Sequence, residues 1–128
     1  MNRRDASASR TTVLSRFNSS EVSVLLLLWL AHFLCDFGLQ NDKMAKEKCR
    51  GCDETLPWGW WLAAHGAIHG LAVALLTGVP WLGAAEMGLH AWIDHSKCNK
   101  RISFTTDQLL HLLCKAGWVA VLATGTVS

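Results

Sequence analysis

The sequence predicts an all-α fold, an up-down four-helix transmembrane bundle, and three observations carry that expectation. Four long apolar segments are separated by short polar connections, which is the pattern of antiparallel neighbours in a bundle. No stretch alternates polar and apolar residues for long, as a half-buried strand requires. Each segment is apolar nearly all round apart from one narrow polar stripe, which places lipid rather than water on the outside. At 128 residues, 51% of them hydrophobic, the chain forms one domain at most.

The first 21 residues, "MNRRDASASRTTVLSRFNSSE", are rich in Arg, Ser and Thr and read as a disordered polar tail. Such a start also fits an organelle transit peptide, whereas the following apolar run lacks the small-residue cleavage pattern of a secretory signal. The four-helix membrane domain is expected over residues 22–125. Its first helix, Val22 to Gln40, is just long enough to span a bilayer. The second starts at Pro57, a favourable first helical residue, and runs through "WGWWLAAHGAIHGLAVALL" to Thr77. The third, bracketed by Pro80 and Ser96, is expected to be short, with Gly83 and Gly88 as weak points. The fourth opens at "SFTTDQ", where Ser103, Thr105 or Thr106 can cap it, and continues to about Thr124. Trp58, Trp60, Trp61 and Trp92 fall toward one end of this bundle and Trp81 toward the other, as interfacial belts do. A soluble bundle with most of its surface buried is the alternative.

Composition excludes some functions. A net charge of +2 without a basic stripe gives no footprint for nucleic acid. Five Cys, an odd number, make a disulfide framework a poor expectation, so reduced thiols or metal ligands fit better.

The polar stripes are where chemistry concentrates. His32 and Asp36, His65 and His69, His90 and Asp94, and Asp107 and His111 each stand four residues apart, hence on one helix face. The first and third pairs close their helices while the second and fourth open theirs. In an up-down bundle all four pairs therefore converge on one cavity mouth. Neutral imidazole and carboxylate bind zinc, and also iron or manganese, and ferritin-like bundles build metal sites from inward-facing helical side chains in this way. Ionisable groups at membrane depth mark function more often than packing. The eight residues are the candidate metal ligands, with Asp36, Asp94 and Asp107 as bridging ligands or catalytic bases.

These motifs, "LLLLWLAHFLCDFGLQNDKMAKEK", "HGAIHG", "GLHAWIDHSK" and "TTDQLLHLL", resemble a family of small bacterial and phage membrane proteins known only as a domain of unknown function. The resemblance covers about residues 22–120 and implies a polytopic protein of the bacterial inner membrane, with no established activity. More loosely, the His-rich pattern is similar to membrane-bound metal-dependent hydrolases, an analogy of pattern only.

Secondary features extend the picture. Cys49, Cys52, His95 and Cys98 fall in loops on the same side and could form a structural zinc clip. Cys35 and Cys114 read as small core residues. Glu86 lies one turn before His90 and is expected as a ligand, a proton carrier or an interhelical hydrogen-bond partner. Lys97 and Lys115 read as interfacial snorkelling residues or, beside a metal, as phosphate-binding groups. Loops one and three hold seven Lys and Arg against four in the tail, which places the site in the cytoplasm, although the Arg-rich tail argues for the reverse.

The functional expectation is a metal-dependent hydrolysis of a lipid or phosphoester at the membrane interface. The rival readings are a metal-ion or proton conduit, a haem held by two His, and a small membrane interaction partner without catalysis. Three accompanying carboxylates disfavour haem. The partners expected are the lipid bilayer and such a substrate, with no nucleic acid; the oligomeric state stays open.

Overall fold

The computed structural model describes residues 18–127, and among them only helices, turns and connecting segments occur. Helix α1 spans Ser19–Phe33. Its start is set by a capping box. The Asn18 side chain accepts from the Ser20 and Glu21 amides, while the Glu21 carboxylate accepts from the Asn18 amide at 2.9 Å. The helix thus begins at Ser19, before the expected Val22, with Asn18 as its N-cap. The remainder of the expected polar tail lies outside the described residues.

Beyond Phe33 the helix widens into a π segment, Leu34–Leu39, of which Cys35 and Asp36 are the buried residues. Asn41 then caps a short helix α2, Asp42–Glu47, inside the connection expected to be a simple loop. Helix α3, Trp58–Thr77, follows Pro57 and stops at Gly78, whose φ of 71° is the left-handed value that closes a helix. Pro80 occupies the first turn of α4, Pro80–Cys98, and Ser103 caps α5, Phe104–Ala123, by accepting from the Thr106 amide.

Helix α4 is neither short nor broken at its glycines. Gly83 faces Gly70 so closely that a Cβ added to Gly83 would stand 2.4 Å from the Gly70 carbonyl oxygen, and one on Gly70 would stand 2.5 Å from the Gly83 oxygen. Small residues at this seam let two helix backbones touch, as they do in membrane proteins. Gly83 is therefore the point of closest approach, and Gly88, with nothing near its absent Cβ, lies on an open face.

Around the bundle, α1 packs on α3 and α5, and α4 on α3 and α5, which closes an up-down ring of four long helices. Its interior has two halves. Toward the α3–α4 turn an apolar cluster forms from Leu28, Val73, Val79, Leu82 and Val119. Toward the other end the interior is polar and charged. The exterior shows the reverse distribution, with Leu30, Leu75, Trp60, Leu113 and Trp92 all about two-thirds exposed or more. Two stretches, Ser19–Leu39 and Trp58–Thr77, are long and apolar enough by length and composition to cross a membrane. Helices α4 and α5 carry more charge, and their ionisable residues Glu86, Asp94, Asp107 and Lys115 are buried.

Candidate metal centre

The four sequence pairs meet in the polar half of the bundle, not at an open mouth: His32, Asp36, His65, His69, His90, Asp94, Asp107 and His111 are all buried, with Asp36 the most accessible at 6%. The convergence follows from the topology, since the π segment of α1, the early turns of α3 and α5 and the last turns of α4 share one end.

Six of the eight form two overlapping groups. Asp36, His65, His69 and His90 place ligand atoms within 4.8 Å of one another, and so do His90, Asp94 and His111. Asp36 Oδ1 lies 3.2 Å from His65 Nε2, 2.9 Å from His69 Nε2 and 3.8 Å from His90 Nε2. Asp94 lies 3.4 Å from His65 Nε2, 3.7 Å from His90 Nε2 and 3.3 Å from His111 Nε2. His90 is the shared member, and its ring stacks between those of His69 and His111 at centroid distances of 3.6 and 4.0 Å. His32 and Asp107 stand outside both groups, at 3.5 Å from Asp36 and His111 respectively.

Gln108 joins these outer residues to the centre, a role that the sequence reading did not assign. Its side-chain amide donates to Asp36 Oδ2 at 2.9 Å and Asp107 Oδ2 at 3.1 Å, while its oxygen lies 3.1 Å from His32 Nε2. Spacing offered a cue, because Gln108 and His111 are three apart and share a face.

Three lysines answer the carboxylates. Lys115 is fully buried and pairs with Glu86, which also accepts from Trp118 Nε1 at 2.6 Å. Glu86 is thus hydrogen-bonded between helices. Lys97 donates to Asp107 Oδ2 at 3.3 Å, and Lys48 of the first connection is buried against Asp94. The expected snorkelling of Lys115 does not occur, because Glu86 holds its ammonium group in the interior, whereas the Lys97 side chain stays 28% exposed while reaching Asp107. The stripe Asp107, His111, Lys115, stepping by four, carried the signal for Lys115.

The first connection is tied down by three consecutive residues. Glu47, buried at 2% exposure, accepts from the Glu54 and Thr55 amides, the Thr55 hydroxyl and Trp61 Nε1. Burial alone would raise its pKa, but those donors favour the ionised form and hold the carboxyl down at about 2. Lys48 reaches Asp94, and Cys49 is joined to Cys98 at the end of α4 in a disulfide with a Cα–Cα distance of 5.2 Å. That bond corrects two expectations, reduced thiols and the zinc clip. Cys49 and Cys98 cannot both be bonded to each other and ligate zinc as thiolates. Cys52 is free and exposed, and His95 stacks on Trp58 and contacts Asn99 instead.

The donor set fits a divalent ion. A tetrahedral ion with bonds of about 2.0–2.1 Å needs ligand atoms about 3.3 Å apart, close to the separations observed here. On the ring that the two groups share, Nε2 of His90, which faces Asp36 and Asp94, is buried and makes no hydrogen bond. Buried polar atoms without partners are rare unless something else satisfies them. The groups could hold a metal ion through nitrogen and oxygen alone, without sulfur.

No curated protein and no solved structure matches this chain significantly. A family described as "Protein of unknown function (DUF3307)" matches residues 24–126, which takes in most of α1, the other three long helices and every residue of the centre. The chain belongs to that family.

Proposed function

We propose that the protein is an integral membrane metalloprotein whose four long helices all cross the bilayer and whose buried His/Asp centre holds a divalent metal, zinc in the first place and iron or manganese as alternatives. The observation that carries this reading is the meeting of six imidazole and carboxylate ligands from α1, α3, α4 and α5 at the spacing of a coordinated ion. Membrane residence is supported by the inverted distribution of polarity, charged within and apolar without, and by exposed Trp60 and Trp92 at one end against Trp81 at the other.

The activity that the centre supports best is metal-assisted hydrolysis of a lipid or phosphoester. A bound ion would supply Lewis acidity and a water that ionises near neutrality. Asp36, in hydrogen-bond contact with His65 and His69, and Asp94, in hydrogen-bond contact with His111, hold the centre together. Asp107, linked to Asp36 through Gln108 and with one oxygen free of hydrogen bonds, is placed to take a proton. Charge favours an anionic substrate. With the imidazoles neutral, the four carboxylates Asp36, Glu86, Asp94 and Asp107 outweigh the three ammonium groups Lys48, Lys97 and Lys115 by one charge. One divalent ion turns that deficit into a single positive charge. A conduit is the weaker reading, because the cluster of Leu28, Val73, Leu82 and Val119 closes the interior beyond Glu86 and Lys115.

Orientation follows from chemistry rather than from a count of basic residues. The Cys49–Cys98 bond belongs in an oxidising compartment, and Lys46, Lys48 and Lys97 are neutralised by Glu54, Asp94 and Asp107. The centre then lies toward the outer face of a bacterial inner membrane. Elemental analysis of detergent-purified protein tests the metal. The expected result is near-stoichiometric metal in the wild type and loss of it in His69→Ala; a wild type with no more metal than its buffer would overturn the reading.

A further inference from the structure

Glu86 belongs to neither ligand group, yet it is buried at 1% exposure one turn before His90, the residue the two groups share. Both of its oxygens are engaged. Oε1 meets the Lys115 ammonium and lies 3.4 Å from His90 Nδ1, and Oε2 accepts from Trp118 Nε1. The carboxylate therefore cannot turn away from the imidazole without abandoning two donors on α5. On the other side of the ring, His90 Nε2 faces Asp36 and Asp94 at 3.8 and 3.7 Å.

A histidine bound to a metal through one nitrogen usually presents the other, protonated, to a carboxylate or carbonyl, which selects the tautomer and makes the ring a better donor. Resting on the metal reading above, we propose that Glu86 is the positioning residue of the centre. It keeps the His90 proton on Nδ1 and turns the Nε2 lone pair toward the ion, while Lys115 and Trp118 hold it in place. The clamp accounts for the depth of Lys115, whose charge would be costly in this interior without Glu86. It also accounts for Trp118 donating inward to Glu86 rather than to an interface.

A purely structural tie between α4 and α5 would leave metal affinity alone, so affinity and stability must be read separately. The full-length protein in detergent is titrated with zinc against a chromogenic chelator as wild type, Glu86→Gln, the double variant Glu86→Gln/Lys115→Met, and Val73→Ala. The double variant removes both charges at similar volume and leaves neither unpaired. Glu86→Gln and the double variant are expected to bind zinc 10–100-fold more weakly at unchanged stoichiometry, the range seen when such outer partners of a metal ligand are lost. Val73→Ala, in the apolar cluster, is expected to lower thermal stability and keep wild-type affinity. Wild-type affinity in the double variant would overturn the proposal while leaving the metal reading intact. Should the double variant fail to fold, wild-type affinity in Glu86→Gln alone would overturn it in the same way. A wild type that takes up no zinc would instead sink the metal reading, and this assignment with it.

Discussion

Lys48, from the connection between α2 and α3, and Asp94, from the last turns of α4, form an ion pair in which both side chains are almost fully buried. The pair fastens a polar connection to a metal-ligand candidate, with the disulfide of Cys49 immediately beside it. Removing one partner of such a pair strands the other charge in a poor solvent. Lys48→Ala is therefore expected to cost roughly 3–5 kcal/mol, the range for breaking a buried pair from one side. Chemical unfolding in detergent measures it, and an unchanged midpoint would show that water reaches Asp94.

The seam between α3 and α4 makes a second prediction. Gly70→Ala or Gly83→Ala places a methyl group against a backbone oxygen, which cannot swing aside as a side chain can. The helices must part, at a cost of about 1–3 kcal/mol typical of overpacking. Gly88→Ala meets nothing and should be neutral or stabilising by up to ~1 kcal/mol through helix propensity. Thermal midpoints of the three variants, side by side, check the contrast.

Glu47 makes the connection sensitive to acid. Its folded pKa, about 2, lies below the ordinary carboxyl value of 4.5. Its contribution to stability is therefore fully present above pH 4.5 and is lost as pH falls toward 2. Glu47→Gln cannot ionise, so its stability should be lower at neutral pH and should fall less between those two limits. Parallel slopes for variant and wild type across that window would show that Glu47 is not responsible.

Cys52 reports orientation. It is the free, exposed thiol of the connection, whereas Cys49 and Cys98 are bonded to each other. A membrane-impermeant maleimide should label intact bacterial cells expressing the protein, and Cys52→Ser should abolish the label. Labelling that requires permeabilised cells would place the centre on the cytoplasmic side.

Much of this organisation was readable before any coordinates, and the parts that were not have physical reasons. Helix periodicity revealed the four long helices and their His/Asp pairs, because residues four apart must share a face whatever the helix packs against. The early start of α1 is written in Asn18 and Glu21, a capping pair that stands ahead of the first apolar residue. Lys48 was hidden because a lysine in a charge-mixed loop is ordinarily solvated, and only the third dimension brings Asp94 to it. The Glu86–Lys115 pair joins two helices that share no periodic relation. An odd cysteine count masks the disulfide, and the role of Gly83 is hidden because sequence does not distinguish a breaking glycine from one that admits a neighbouring helix.

The central claim is that nitrogen and oxygen ligands from four helices gather one metal ion in the bundle interior. X-ray absorption at the zinc edge of metal-loaded, detergent-purified protein tests it most directly. The account predicts a shell of nitrogen and oxygen at about 2.0–2.1 Å with the outer scattering of imidazole rings. Sulfur at about 2.3 Å, or the spectrum of a fully hydrated ion, would contradict it.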